Sequence, residues 1–523
     1  MWGQSKKEFM DSKISSKDKL FLITFLLLIS LHLLLISSIR IYPFIDLPMH
    51  LASAAIYGFY NDSNNVFNEF YYVKKLLGQS NIFHLLFCTL KILPSIELAN
   101  KVFHCIYVIL LPISMLLVIK KLGGNPWFSL LSFLMLYNFN VSWGFVGFTF
   151  SIPFVLLFIY FLYDYLFKES FQYIIIMMCL FVLIFLIHGI TTIFSIIIFL
   201  VSVIYFHRNN LKKIMSKSLV AIPILIILIS WWLSREPQPN TPNTVNFVSY
   251  LLTYYKSSYL PELYKRTGLF YWDNYFLYSG IWGLLVGSIF TYAIIAISLI
   301  SIDSLKHLFS VKIKSNQFVI ILIFFFSSIF IYFIVPQIKD IFWISFYRFS
   351  VFCFLSLIIM ASVIAKKKLP PFNITIICIV CALHFILWAD YFKDFNRENQ
   401  SFTKEILPEK SKNKKLAGLV YDYSFRDKPI YIHFPNYYII WKQGISTTRM
   451  LDFPSPWRIG RKTDKTTLPR YNEWVGLLNN YDGRYMNADF ILVRGELPQN
   501  ALEFFKNFTL VKSIEKWTLY EKK

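Results

Sequence analysis

The feature that most constrains this chain is a succession of apolar runs, each about long enough to cross a lipid bilayer. A hydrocarbon core about 30 Å thick takes about 20 apolar residues per helix. Such runs read at 20–41, 101–119, 126–140, 145–166, 171–187, 190–206, 218–233, 279–301, 317–335, 349–365 and 371–388. Inside lipid every backbone N–H and C=O must be satisfied within the protein, so runs of this kind fold as helices. The expected fold class is an α-helical polytopic membrane protein with about 11 transmembrane helices. Composition agrees, because 56% of residues are hydrophobic and only 16% are charged. A soluble domain carries about 25% charged residues. One aqueous core could not bury the apolar surplus, which a bilayer takes up.

The formal charge of +22 has an ordinary source in such a chain. Lys6, Lys7, Lys13, Lys17 and Lys19 precede the first run, and Lys120 and Lys121 follow the second. Lys168 follows the fourth, and Arg208, Lys212, Lys213 and Lys217 the sixth. Lys306, Lys312 and Lys314 follow the eighth, and Lys366, Lys367 and Lys368 the tenth. Every second connection is basic, so the positive-inside rule assigns 1–19 to the cytoplasm. It assigns the first outer loop 42–100, the loop 234–278 and everything after 389 to the far side. The basic excess therefore orients the chain and does not argue for nucleic acid. The first run, Leu20 to Ile36, lacks a small-residue cleavage site and reads as an uncleaved span.

All six cysteines fall in apolar segments, so no disulfide framework is expected. Cys378 and Cys381 read as small packing residues of one span, not as a redox or zinc pair. From 389 to 523 charge returns and the apolar runs shorten. Leu416–Val420, Ile430–Phe434, Phe490–Val493, Leu510–Ile514 and Trp517–Tyr520 read as strands. Asn436–Trp441 and Gln499–Asn507 read as helical. The expectation is a small extracytoplasmic α/β domain after a membrane domain over 20–388.

Chemistry concentrates at the outer ends of the spans. Asp46-Leu-Pro48-Met-His50 opens a segment whose apolar residues recur at helical spacing. A helix should start at Asp46 and lie along the membrane surface. Asp46 and His50, four residues apart, share its face. Asp46 alone could be a cap, and His50 a packing residue. Together they make two ligands, too few to define a metal site. Trp143-Gly144-Phe145 crosses a later outer turn, where interfacial aromatics and close-packing glycines also suit pure architecture. His188 ends an apolar helix, and Arg348 stands at the outer mouth of the tenth span. Ionisable residues at membrane depth are costly and are functional candidates by default. Arg348, with Lys339 in the same loop, could grip a lipid-linked phosphate through its guanidinium fork, or could simply snorkel to headgroups. Trp272 and the aromatics around it could line a sugar site or form an interfacial belt.

Taken together, these residues resemble the GT-C superfamily of integral-membrane glycosyltransferases. That superfamily includes protein mannosyltransferases, oligosaccharyltransferase catalytic subunits and bacterial aminoarabinose transferases. Its members carry an acidic residue in the first outer loop, the position that Asp46 matches. More closely, the chain looks like uncharacterised microbial membrane proteins that share the Asp46-x-Pro48-x-His50 start and the Trp143-Gly144-Phe145 turn with Pro153 following. Asp46 is followed by Leu47, so the adjacent acidic pair of some members is absent.

The resemblance implies a polyprenyl-phosphate-linked sugar donor and a glycan, lipid or protein acceptor. It implies Asp46 as general base, with Arg348, Lys339, His50, His188, Trp143 and Trp272 binding substrate. A divalent cation is optional, since a lipid phosphate leaves readily. A bacterial inner membrane is the expected location. The rival readings are an O-antigen-type polymerase or ligase, a lipid-linked glycan transporter or flippase, and a non-catalytic assembly protein. The spans are poor in charge and show no internal repeat, which speaks against transport.

Overall fold

The computed structural model describes residues 16–74, 82–90, 92–233, 249, 252–275, 277–278, 280–302, 315–336, 346–447, 451, 459–462, 468–469 and 483–523. Among them, nine helices are long and apolar enough to cross a membrane. They are α1 (Asp18–Ser38), α4 (Ile96–Lys121), α5 (Val146–Phe167), α7 (Gly189–His207), α8 (Leu211–Trp231), α9 (Gly280–Ile300), α10 (Asn316–Phe333), α11 (Tyr347–Ile364) and α12 (Pro371–Glu398). Their outward faces are apolar, as in α1, where Ile23 and Leu34 are mostly exposed. Such faces are stable only against lipid. The chain is thus an integral, multi-pass α-helical membrane protein.

Two of the eleven expected spans differ from this set. The run 171–187 forms α6 (Phe171–Ile187), a shorter apolar helix. The run 126–140 is not one long α-helix, although it leads from the Lys366–Lys367 end of the bundle, at Asn125, to the Asp46 end, at Trp143. Pro126–Met135 is a 3₁₀ segment, and every residue from Trp127 to Met135 is buried. Asn125 caps it by accepting from the Trp127 N–H at 3.1 Å. The Ser129 and Ser132 hydroxyls bond back three residues to main-chain carbonyls. The segment is a core element wedged among helices, and its hydropathy reflects protein contact rather than lipid.

The bundle has two chemically distinct ends. At one, the Asp164 carboxylate binds Lys121 at 2.6 Å and Lys168 at 2.8 Å. The Asn125 amide donates to the carbonyls of Lys366 and Lys367, and the Lys366 N–H donates to Ser301. Four of the expected basic connections, those after α4, α5, α9 and α11, therefore contribute to one end. At the other end lie α2 (Leu47–Gly58), α3 (Phe83–Cys88) and the His188 turn between α6 and α7.

The C-terminal residues build a five-stranded mixed sheet over this second end. Its order is β3 (Ile445–Ser446), β2 (Lys415–Val420), β5 (Phe490–Arg494), β7 (Trp517–Lys522), β6 (Phe508–Ile514). β2 runs parallel to β3 and β5, while β7 runs antiparallel to β5 and β6. Most strand expectations hold, and the helical ones appear as α13 (Tyr437–Lys442) and a short turn-rich stretch at Gln499–Phe505. Ile430–Phe434 does not. Ile430–Asn436 is a 3₁₀ turn bracketed by Pro429 and containing Pro435. Neither proline can donate to a ladder. The turn lies on β2, where a Cβ on Gly418 would come within 2.3 Å of the Pro435 ring.

A second, two-stranded ladder joins distant parts of the chain. β1 (Tyr71–Val73), in the segment between α2 and α3, pairs antiparallel with β4 (Ile459–Arg461). α2 accordingly does not lie with one face on a membrane surface. Leu47, Met49, Leu51, Ala54, Ala55 and Ile56 are all buried, and α13 and the 430–436 turn cover it from above.

Candidate active site

α2 begins as its sequence requires, with Asp46 at the N-cap and Pro48 in the first turn. The Asp46 side chain makes no capping hydrogen bond. Capping is therefore not its task, and the carboxylate is left for other chemistry. Its backbone is held instead. The Ile45 N–H donates to Ser142 O at 3.0 Å, and the Asp46 N–H to Trp143 O at 2.9 Å. This close approach depends on Gly144, whose φ is +76°. A Cβ there would meet Leu47 N at 2.7 Å and Asp46 N at 2.9 Å. Left-handed strain and this clash together predict that Gly144→Ala destabilises the fold by at least about 2 kcal/mol. Thermal unfolding in detergent checks this, and a midpoint within a degree of wild type would sink it.

The Asp46 carboxylate points to a residue the sequence reading did not single out. His433 Nε2, from the C-terminal 3₁₀ turn, stands 3.4 Å from Asp46 Oδ1. His433 is buried, while the Asp46 side chain is 19% exposed. Its signal was hidden in a segment read as a strand. The two flanking prolines could have marked that segment as a turn that aims one side chain.

His50 joins the group from the next turn of α2. Burial lowers its pKa to about 4, and the charges of Arg348 and His433 act in the same direction against the opposing pull of Asp46. His50 is therefore neutral near pH 7. Its ring meets His84 edge-on at 5.9 Å, and His84 Nε2 contacts Asn100 Oδ1 at 3.0 Å. His84 is likewise lowered by burial, to about 3. An unfolded histidine titrates near 6.5, so below that pH the unfolded chain binds more protons than the folded one. Stability is expected to fall as pH drops from about 6.5 to 4, His50 contributing at most about 3 kcal/mol. Unfolding midpoints across this window check the slope. His50→Gln should flatten it, and an unchanged slope would assign the effect elsewhere.

Arg348 and His188 pair at the same end, with Nη1 and Nε2 3.4 Å apart. Arginine only donates, so His188 Nε2 accepts and its ring proton sits on Nδ1. The Arg348 guanidinium lies over the Phe145 ring at 3.8 Å, and Asn140 holds the Arg348 carbonyl at 3.1 Å. Arg348 Nε and His188 Nδ1 are buried without a partner among the described residues. The guanidinium is thus fixed by stacking and by one imidazole, with donor capacity to spare. The Trp143-Gly144-Phe145 turn serves both halves of the site. Its first two residues hold Asp46, and its third carries Arg348. The Trp143 indole N–H is buried without a partner among the described residues.

Lys339 lies outside the described residues, as does the side chain of Trp272, whose backbone is in a helix over Tyr259–Asp273. Among the described residues, no three His, Cys, Asp or Glu side chains are grouped to hold a metal ion. All six cysteines are unpaired. Asp46, His50, His188, Arg348 and His433 make up a mixed acid, imidazole and guanidinium cluster between the bundle and the sheet. Such a set can accept a proton at Asp46 and bind an anion at Arg348. The chain matches no protein-family model, and no curated protein matches it.

Proposed function

We propose that the protein is a membrane glycosyltransferase of GT-C type. It moves a sugar from a polyprenyl-phosphate donor to an acceptor on the outer side of a bacterial inner membrane. The observation that carries this reading is the Asp46 carboxylate. It is released from capping, 3.4 Å from His433, and grouped with a guanidinium that has unused donors. The basic end of the bundle faces the cytoplasm in this reading, and the C-terminal sheet forms an extracytoplasmic domain.

The acceptor hydroxyl attacks the anomeric carbon as the bond from that carbon to the phosphate oxygen breaks. Asp46 takes the hydroxyl proton, and the lipid phosphate departs with the bonding pair, which inverts the anomeric centre. Arg348 stabilises the charge that develops on the departing phosphate. His433 and the neutral His50 orient the carboxylate and shield it from water. The reaction needs no metal ion in this scheme, and no step is routed through one.

The test is sugar transfer from radiolabelled polyprenyl-phosphate sugars by the protein in lipid nanodiscs, with glycan, lipid and peptide acceptors. Turnover is expected with one donor class. If no donor turns over and polyprenyl phosphate does not bind, the transferase reading is abandoned and vesicle transport of lipid-linked glycans is measured instead.

A further inference from the structure

A second feature at the same end takes no part in the proton and phosphate chemistry above. A cavity of about 440 Å³ opens between the outer end of α1, the start of α4 and the C-terminal unit. Pockets of roughly 300–1,000 Å³ accommodate small organic ligands. Tyr437 and Trp441 form one wall, their rings stacked 5.0 Å apart at 28°. The Trp441 indole N–H donates to Glu97 Oε1 at 3.0 Å, which fixes the ring. The rest of the lining mixes both signs. Arg40 and Lys404 bring two positive charges, and Glu97 and Glu405 two negative ones.

This chemistry selects a ligand class. The lining is formally neutral, so a phosphate or nucleotide gains no net attraction. Donors and acceptors of both kinds, beside a fixed aromatic wall, suit a ligand with many hydroxyls and apolar C–H faces. The cavity is also tied to the candidate active site. Leu51, which follows His50 on α2, lines it, as does Asn100, which holds His84 against His50.

We infer that this cavity binds an uncharged saccharide and is the acceptor subsite of the enzyme. The inference rests on the transferase reading for the acceptor role, and on the cavity alone for the ligand class. It assigns Trp441 as the stacking residue and Glu97 as the group that orients it. It adds that the C-terminal residues select the acceptor while α2 supplies the base.

The test is saturation-transfer NMR on the full-length protein in nanodiscs. The probes are maltose, lactose, mannobiose and diacetylchitobiose, with glucose 1-phosphate as the anionic comparator. At least one neutral disaccharide is expected to bind more tightly than the phosphate. Trp441→Ala should weaken it about tenfold or more, and Trp441→Phe, which keeps a ring, should recover most of the loss. Asp46→Asn should leave disaccharide binding unchanged, which separates this site from the catalytic one. A single symmetric size-exclusion peak and a cooperative thermal transition for Trp441→Ala and Trp441→Phe report that both variants are folded. Preference for glucose 1-phosphate, no disaccharide binding, or binding insensitive to Trp441→Ala would each overturn the ligand class. A disaccharide that binds but is never glycosylated by a preparation with active donor turnover would overturn the acceptor role.

Discussion

Asp46→Asn is expected to reduce sugar transfer about a thousandfold while leaving the unfolding midpoint within a degree or two of wild type. A general base in direct contact with the attacking group contributes roughly 10²–10⁴ in rate. The substitution is nearly isosteric and removes only the ability to accept the proton. An ordinary N-cap would make this test ambiguous, because a capping aspartate costs about 1 kcal/mol when lost. Asp46 makes no capping bond, and its backbone is held by the 142–143 carbonyls whatever the side chain. His433→Ala should cost less alone and add little to Asp46→Asn, because residues acting as one unit are not additive. Full activity in Asp46→Asn would move the base to another residue. Additive losses in the double variant would separate His433 from Asp46.

The second large effect is expected at Arg348. Arg348→Ala should lower turnover about a hundredfold or more, in the range seen when one preorganised charge-stabilising donor is removed. Arg348→Lys should restore only part of it. Lysine keeps the charge but loses the planar fork and the stacking on Phe145 that aims it. Binding of polyprenyl phosphate should weaken in both variants, whereas disaccharide binding should not. If Arg348→Ala turns over normally and binds the lipid phosphate as wild type does, the residue only snorkels to headgroups. His188→Ala is the companion, since it removes the imidazole that contacts the guanidinium and leaves the charge in place.

What the sequence made legible follows from cost. Asp46, His50, His188 and Arg348 stand out because ionisable groups among apolar spans are expensive, and the chain keeps them for a reason. The structure brings all four to one end of the bundle. His433 was not legible by that rule. Its neighbours are apolar, and alternation suggested a strand where two prolines enforce a turn. The ladder of β1 with β4 was equally hidden, because three-residue strands far apart in sequence leave no periodic trace. Hydropathy also could not show that the run at 126–140 lies wholly inside the bundle. An apolar segment scores alike whether it faces lipid or neighbouring helices, and Trp127 to Met135 face only protein. The mostly correct strands at 415–420, 490–494, 508–514 and 517–522 lie where turn residues bound short apolar runs, the pattern sequence reports best.

The contact between Asp46 and His433, together with the β1–β4 ladder, also has a consequence for how the protein is made. Ribosomes deliver Asp46 soon after the first hydrophobic segment and His433 only after α12. Until then the nascent chain carries a bare Asp46 carboxylate and an unmated β1. A stop between α12 and residue 433 would therefore leave the nine described apolar helices whole while removing His433 and β4. Two separately expressed fragments, split just after α12, would form the Asp46–His433 contact only on docking with each other. The Asp46–His433 contact thus waits on residues that leave the ribosome after the last of the described apolar helices.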